Sequence, residues 1–303
     1  MTHSNNTALS KQFGLDNRLQ FSEGFSGLAK AELCYREARL ELYLQGAHVT
    51  RYQPAANHEV LWMSDTAVYA PGKALRGGIP LCWPWFGPHP KNSDRPQHGY
   101  ARRSRFSVLS TSADAESTSM ILALDPAAAP YPEWQDRAQL EVEFRLSDSL
   151  WMEMRTFNIS DSALTLSNAW HTYFSISGRN RVTLPGVTGL TYLDKPQRYK
   201  QLQQTDAIAI RGEVDRVYLV PPPEIELLDS ARQTKTSIST WGNQNLVVWN
   251  PGEANAKTMA DFDDRGFEQM LCIEPANALD QSIQLKPGEC HRLGQKITLD
   301  QPG

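Results

Sequence analysis

The sequence lacks the cysteine patterns that would cross-link a fold or hold a metal. Its four cysteines are Cys34, Cys82, Cys272 and Cys290, with no CxxC pair and no repeated spacing. This scatter argues against a disulfide framework or a zinc site and is typical of the reducing cytoplasm. A proline-rich gap separates His89 from His98, and no third ligand stands at a zinc-like spacing. We therefore predict no bound metal.

Long apolar runs and a basic excess are also missing. No stretch approaches the ~20 apolar residues of a membrane-spanning helix, and Met1–Lys11 lacks the apolar centre of a signal peptide. Because the net charge is -4, we do not expect a general nucleic-acid binder, and the arginines near Arg102 form only a local cluster. Neither a Gly-x-Ser-x-Gly elbow nor a phosphate-cradling GxxxxGK loop occurs, so serine hydrolysis and nucleotide hydrolysis have no support.

Helical periodicity is not sustained, whereas apolar and polar residues alternate with period two through much of the chain. Leu140–Leu146 and Trp151–Ile159 are the two arms of a predicted antiparallel hairpin. Strands at this spacing predict an all-β fold, a large antiparallel β-sandwich with few short helices. No linker composition marks a domain boundary. We predict one domain over residues 16–303, after a polar and poorly ordered segment over residues 1–15.

Two neighbouring segments concentrate arginine, glycine and aromatic residues beyond what core packing requires. Leu75–Gly87 contains Arg76, a glycine pair, Trp83 and Trp85, and Gln97–Arg102 follows ten residues later. Aromatic faces suit the C–H face of a sugar ring, and arginines suit an anionic group. The segments predict a charged carbohydrate as ligand, with the two tryptophans either contacting the sugar or packing the loop.

A histidine stands on a long predicted strand. Alternation along Ala163–Phe174 puts His171 on the polar face, beside Tyr173. Histidine can hold or release a proton near neutral pH. His171 is therefore either a ligand-facing acid or a hydrogen-bonded surface residue.

Two carboxylates are further candidates. Glu274 ends an apolar run before Pro275, where partial desolvation would make it a better base, unless it pairs with an arginine for structural reasons. Asp215 lies in an alternating strand. From the sequence alone it is predicted to form a surface salt bridge with Arg211 or Arg216.

Six segments in order carry a resemblance to a known family. They are Arg76–Pro80, Trp83–Gly87, Gln97–Arg102, Trp170–Phe174, Asp215–Tyr218 and Cys272–Pro275. Together they resemble the hexose-6-phosphate mutarotases of the galactose-mutarotase-like, or aldose 1-epimerase, superfamily, from about Leu40 to the carboxyl end. Tyr100 departs from the family motif, in which phenylalanine is common at this position.

The resemblance implies a galactose-mutarotase-like supersandwich that interconverts the α and β anomers of a hexose 6-phosphate, glucose 6-phosphate being expected. It gives the acid role to His171 and the base role to Glu274. The residues that it places around the substrate are Arg76, Gln97, His98, Arg102 and Asp215. The arginines are expected on the phosphate and Asp215 on sugar hydroxyls. Acid and base suffice for this reaction, so no cofactor is expected.

Two other functions stay open. A non-catalytic carbohydrate-binding or sugar-sensing sandwich would need no paired acid and base, and a mutarotase of neutral hexoses would gain nothing from the arginines. As partner we expect a small sugar phosphate, with no nucleic acid and no membrane. We expect the chain to act as a monomer in the cytoplasm.

Overall fold

Antiparallel strands dominate the computed structural model, which describes residues 2–300. In chain order the strands are β1 (Leu19–Glu23), β2 (Ala29–Tyr35), β3 (Ala38–Tyr43), β4 (His48–Gln53), β5 (Leu81–Cys82), β6 (Ser107–Ala113), β7 (Thr118–Leu124), β8 (Ala138–Leu146), β9 (Leu150–Asn158), β10 (Leu164–Leu166), β11 (Asn168–Trp170), β12 (Tyr173–Ser175), β13 (Val182–Thr183), β14 (Thr191–Asp194), β15 (Lys200–Gln203), β16 (Val214–Tyr218), β17 (Glu224–Asp229), β18 (Thr234–Trp241), β19 (Asn245–Asn250), β20 (Met270–Asn277), β21 (Ile283–Leu285) and β22 (Cys290–Asp300). The α-helices of the described range are α1 (Thr2–Phe13) and α2 (Gly252–Ala256), and neither is long and apolar enough to cross a membrane. Short 3-10 turns cover Phe25–Gly27, Ala101–Arg103, Pro126–Ala128, Pro185–Val187, Gly266–Glu268 and Leu279–Gln281.

Two eight-stranded sheets form the sandwich. The first, called the site sheet here, has the order β15-β14-β16-β19-β20-β11-β5, with β12 also paired to β20. The second, the back sheet, has the order β13-β17-β18-β22-β9-β8-β7-β6. A four-stranded sheet, β1-β2-β3-β4, and the pair β10-β21 complete the pairing. The all-β sandwich with few short helices is confirmed.

The predicted hairpin of the back sheet has the expected register. β8 pairs with β9 so that Val142 faces Met154 and Phe144 faces Met152, and all four side chains are fully buried. Their polar neighbours alternate toward the other face, as period two requires. This alternation supplies one layer of the core.

Hydrogen bonds between the sheets fix how they pack. The indole Nε1–H of Trp170 donates to the Leu293 carbonyl at 3.1 Å, and Thr172 Oγ1 donates to Gln295 Oε1 at 2.6 Å. Buried polar atoms thus find partners inside the core. Because Trp170 points toward the back sheet and successive residues of a strand point to opposite faces, every second residue of the site sheet points away from the core.

The amino-terminal segment contains a helix, α1, over Thr2–Phe13. The poor order expected over residues 1–15 stays a prediction. Leu9 and Phe13, one helical turn apart, pack against the core, and the Gly14 amide closes the helix on the Ser10 carbonyl at 2.9 Å. Two apolar residues at i and i+4 are enough to dock a helix whose composition is otherwise polar. The single domain over residues 16–303 stays a prediction.

The prediction of one continuous strand over Ala163–Phe174 is wrong, because the structure breaks this segment into three strands. β10 pairs with β21, β11 pairs with β5 and β20, and β12 pairs with β20. His171 and Thr172 lie in the gap between β11 and β12, and the His171 amide donates to the Pro80 carbonyl at 3.0 Å. His171 nevertheless lies on the side of the sheet that alternation assigns to it, together with Tyr173 and opposite Trp170.

Candidate active site

The outer face of the site sheet is the floor of a cavity. One row of paired residues across β14, β16, β19 and β20 is Leu193, Val217, Val247 and Glu274. The next row, across β16, β19, β20 and β12, is Asp215, Trp249, Cys272 and Tyr173. Residues two apart on a strand share a face. The register therefore brings Glu274 and Asp215, distant in sequence, onto one surface.

The cavity has a volume of about 550 Å³, and all seven residues predicted from the sequence line it. These are Arg76, Gln97, His98, Arg102, His171, Asp215 and Glu274. Further lining residues include Phe86, Lys195, Tyr199, Trp249, Met259 and Leu279. A volume of this size is typical of a small-molecule site. A more open cleft beside Lys235 has a similar volume, but that lysine is already paired with Asp300 at 3.1 Å.

Aromatic packing holds the His171 ring in place. The ring stacks on Tyr173 with centroids 4.8 Å apart and planes 12° apart, and it meets Trp249 and His98 edge-on at 5.7 and 5.5 Å. The residue is only 7% exposed. Of the two alternatives for His171, the surface residue is therefore wrong, and His171 is a buried residue at the cavity wall.

Glu274 lies inside a strand and not at its end. β20 continues through Pro275 to Asn277, and Glu274 is 1% exposed between neighbouring strands. The expected desolvation is therefore nearly complete. Burial, and secondarily the negative charge of Asp215, raise the pKa of Glu274 well above its ordinary value.

His171 and Glu274 form a pair with unused polar atoms. His171 Nδ1 lies 3.6 Å from Glu274 Oε1, which is too long for a hydrogen bond. Within residues 2–300, His171 Nδ1 and Glu274 Oε2 are buried atoms with no hydrogen-bond partner. Buried polar atoms without partners are uncommon, so such a pair beside a cavity indicates a place for a polar ligand.

Positive charge around the cavity acts on His171. Burial lowers the pKa of His171 well below its ordinary value, and Arg102, Arg76 and Lys195 lower it further by repulsion. The same two effects, burial first and Arg102 second, lower the pKa of His98. Without a bound anion, the cavity therefore favours neutral histidines.

The partner of Asp215 is a residue that the sequence did not indicate. Lys195 Nζ donates to Asp215 Oδ2 at 2.6 Å, and the Lys195 amide donates to the Asp215 carbonyl at 3.0 Å. The expected partner Arg216 points to the opposite face of the sheet, where it binds Gln204 at 2.6 Å. Burial raises the pKa of Asp215 although Lys195 opposes the shift.

Arg76 is held from two sides. Its Nε and Nη2 donate to Asp261 Oδ1 at 3.2 and 3.1 Å, and its Nη1 donates to the Tyr173 hydroxyl at 3.2 Å. The following Gly77 has φ 101°, and a β-carbon there would lie 2.6 Å from the Trp62 carbonyl oxygen. Glycine is therefore required for the close backbone approach that carries Arg76 to the cavity.

The segment Gln97–Arg102 supplies the opposite wall. Arg102 Nη2 donates to the Gln97 carbonyl at 2.8 Å, while its Nε is buried with no partner within the described residues. His98 Nδ1 accepts the Gly87 amide at 3.3 Å, which leaves Nε2 to carry the proton of the neutral ring. Arg102 and His98 thus each keep a donor available.

Trp83 and Trp85 are packing residues. They are 1% and 3% exposed and belong to the main core; Trp83 Nε1 donates to Thr156 Oγ1 and Trp85 Nε1 to the Pro96 carbonyl. Neither lines the cavity, so of the two alternatives given for these tryptophans, packing is the one that fits. The aromatic residue on the cavity floor is Trp249, which period-two alternation alone does not distinguish from a core tryptophan.

Three side chains at the site could ligate a soft cation. Ligand atoms of His171, Cys272 and Glu274 lie within 4.8 Å of one another, and all three residues are buried. These ligand types suit zinc. However, burial and the neighbouring Glu274 raise the pKa of the Cys272 thiol, and the arginines facing the cavity repel a cation. Acid–base chemistry between His171 and Glu274 needs no metal.

Comparisons with known proteins identify the family of this chain. The family model for aldose 1-epimerase matches residues 31–298. The chain belongs to the aldose 1-epimerase family. A relative from Cenchrus ciliaris, 35% identical over 277 residues that cover 87% of this chain and 82% of its own, bears the name "Putative glucose-6-phosphate 1-epimerase". A relative from Escherichia coli K12 with the same name is 31% identical and covers 86% of this chain and 87% of its own.

Solved structures show the same fold as this aldose 1-epimerase family member. A crystal structure described as a putative mutarotase of Salmonella typhimurium superposes with a TM-score of 0.88, at 26% identity over 96% of each chain. A galactose mutarotase-like protein of Clostridium acetobutylicum superposes with a TM-score of 0.71, at 15% identity over 94% of this chain and 98% of its own. The supersandwich expected from the sequence motifs is confirmed.

Proposed function

We propose that this protein is an isomerase that interconverts the α and β anomers of a D-hexose 6-phosphate, with glucose 6-phosphate as the expected substrate. The observation that carries this proposal is the buried, unpartnered pair of His171 and Glu274 in a cavity that three cationic side chains also line. The names of the two relatives support the choice of a phosphorylated sugar.

The chemistry needs one acid and one base near the C1–O5 bond. The Glu274 carboxylate takes the proton of the C1 hydroxyl while the His171 imidazolium gives its proton to O5. The C1–O5 bond breaks, its electron pair stays on O5, and C1 becomes an aldehyde. After rotation about C1–C2, O5 attacks the other face of the aldehyde. His171 and Glu274 then each recover their original state.

The protonation state of His171 depends on what the substrate brings. In the empty cavity, burial and the arginines disfavour imidazolium at His171. A phosphate dianion beside Arg76 and Arg102 would offset their charge and raise the pKa of His171 toward a useful range. In this proposal the phosphate therefore raises the pKa of His171 in addition to binding the enzyme.

The remaining residues hold the sugar. Arg102, with a free Nε, and Lys195, whose side chain is 51% exposed at the cavity, are assigned to the phosphate together with Arg76. Asp215, His98 and Gln97 are assigned to sugar hydroxyls. Trp249 offers an aromatic face on the floor, which suits the C–H face of a pyranose.

Two-dimensional NMR exchange spectroscopy on glucose 6-phosphate tests the proposal. We expect cross-peaks between the α and β anomers to grow much faster with enzyme than without it. Binding without faster exchange would favour a non-catalytic carbohydrate-binding protein. Faster exchange of glucose than of glucose 6-phosphate would favour a neutral-hexose mutarotase. Measuring the exchange rates of galactose 6-phosphate and mannose 6-phosphate in the same assay shows which hexose phosphate the enzyme prefers.

We also expect a cytoplasmic monomer that needs no cofactor. All four cysteines are free thiols in the structure, and a reducing compartment would keep them so. Size-exclusion chromatography with light scattering checks the monomer, and activity retained after dialysis against a chelator checks independence from metal.

A further inference from the structure

Two large apolar side chains stand in solvent at the cavity. Tyr199 is 42% exposed and Leu279 is 45% exposed, and both line the cavity. Within the described part of the chain, the other exposed large hydrophobic residues are Phe25, Val68, Leu109, Ile159 and Val220, and none of these lines it. Exposed apolar area at a binding cavity is the kind of surface that a ligand covers.

Both residues also adopt an unfavourable backbone conformation. Tyr199 has φ 60° and Leu279 has φ 56°, the left-handed region that glycine and asparagine tolerate and that bulky residues rarely adopt. Such outliers persist only where the surroundings hold them, and they gather at ligand sites. A role in folding would be better served at both positions by glycine or asparagine.

The two segments are anchored to the strands that carry the polar site. The turn that holds Tyr199 starts at Lys195, whose amide binds the Asp215 carbonyl, and the Arg198 amide closes on the Lys195 carbonyl at 2.9 Å. Leu279 follows β20, the strand of Glu274, and the preceding Ala278 amide binds Asn245 Oδ1 at 3.0 Å. Short hydrogen-bonded connections therefore fix both side chains relative to the floor.

We propose that Tyr199 and Leu279 form an apolar rim that contacts the C–H surface of the hexose ring and fixes its orientation over the floor. The inference rests on the proposed function for the identity of the sugar. The polar groups lining the cavity bind phosphate and hydroxyls, but polar contacts alone leave the ring free to tilt. Apolar contact with the ring also removes water from the reacting C1–O5 edge. The rim contacts the ring and not the phosphate, and this difference makes it testable.

The test compares the binding of two ligands by titration calorimetry. Leu279→Asn and Tyr199→Asn remove the apolar surface while suiting the left-handed backbone, so we expect no loss in melting temperature. We expect each to weaken glucose 6-phosphate binding roughly fivefold to tenfold, as partial loss of a buried apolar side chain implies. The dissociation constant for inorganic phosphate should change less than about twofold, because phosphate has no C–H surface for the rim to cover. Tyr199→Phe, which keeps the ring, should weaken glucose 6-phosphate binding less than Tyr199→Asn does.

Ile159→Asn is the matched control, since Ile159 is 48% exposed and does not line the cavity. It should change neither dissociation constant. Unchanged glucose 6-phosphate affinity in both rim variants would contradict the proposed rim. Equal weakening of glucose 6-phosphate binding and inorganic phosphate binding would contradict it as well. If wild type binds glucose 6-phosphate without exchanging its anomers, the proposed function fails. The affinities of the rim variants would then still test the proposed rim. If wild type does not bind glucose 6-phosphate, both inferences fail.

Discussion

His171 Nδ1 lies 3.6 Å from Glu274 Oε1 on the floor of the cavity, and neither atom makes a hydrogen bond to the other. A salt bridge built for stability would close this gap, because a buried charged pair needs good geometry to offset its desolvation. The separation instead leaves both groups facing a ligand. We infer that this separation allows each group to exchange a proton with the substrate and not with the other.

The first prediction concerns this pair. Glu274→Gln keeps the shape of the side chain but removes the base, and His171→Asn removes the acid. We expect either change to slow anomer exchange of glucose 6-phosphate about 10²–10⁴-fold, the range for loss of a positioned acid or base. NMR exchange spectroscopy measures the rate, and circular dichroism checks the fold. Glu37→Gln, an exposed carboxylate outside the cavity, should behave as wild type; full activity in Glu274→Gln would assign the base elsewhere.

The second prediction is a difference between two pH profiles. In the proposed mechanism His171 is the acid, so the rate should fall as pH rises through its pKa. In the free enzyme burial, then Arg102 and Arg76, lower that pKa, and bound phosphate offsets the two arginines. The alkaline limb should therefore lie at higher pH for kcat than for kcat/KM, since these report the bound and the free enzyme. Coincident alkaline limbs would contradict this account.

The sequence predicted the polar residues of the site better than it predicted their surroundings. The motif segments named seven residues, and all seven line one cavity. Two of them, His171 and Glu274, occupy different local structures from those expected. The reason is physical: alternation describes one strand, whereas the break at His171 depends on hydrogen bonds to Pro80 and on pairing with β20.

Residues outside the motifs could not be assigned in this way. Lys195 enters the site only because β14 pairs with β16 and places it beside Asp215, a long-range register that no local pattern encodes. Trp83, just after β5, packs into the core, whereas Trp249 in β19 lines the cavity, and the residue type alone does not distinguish them. Periodicity indicates that two faces exist, but tertiary packing decides which one is the core.

The third prediction separates phosphate binding from sugar binding. Lys195→Met removes a cation at the cavity and leaves its stem, so we expect KM for glucose 6-phosphate to rise roughly tenfold or more. The kcat/KM for glucose should change far less. A double-mutant cycle of Lys195→Met, Asp215→Asn and the double variant separates loss of the cation from the unpaired carboxylate that the single Lys195 change leaves behind. Equal losses for both sugars would show that Lys195 serves the fold and not the phosphate.

The fourth prediction concerns stability. Burial lowers the pKa of His48 from 6.5 to about 4, while its Nε2–H bond to the Gly77 carbonyl opposes the shift. Between these values the unfolded chain binds more protons than the folded chain, so the free energy of unfolding falls as pH drops from 6.5 to 4. The shift corresponds to about 3 kcal/mol. His48→Gln, whose amide can still donate to Gly77, should lose this part of the pH dependence in urea unfolding. His58→Gln, at a half-buried histidine whose ring bonds the Ala56 carbonyl, should keep it.

The last prediction follows from giving the phosphate two roles. If the anion only tethers the substrate, inorganic phosphate added with glucose competes or does nothing. If it also offsets Arg76 and Arg102 and so raises the pKa of His171, free phosphate should activate the enzyme toward glucose. We expect millimolar phosphate to increase the enzymatic exchange of glucose anomers several-fold, and Arg102→Ala to abolish the increase. The uncatalysed rate in the same buffer must be subtracted, because phosphate is itself a weak general acid and base. A corrected rate that stays flat or falls with added phosphate would confine the anion to binding, and His171 would then require another source of its positive charge.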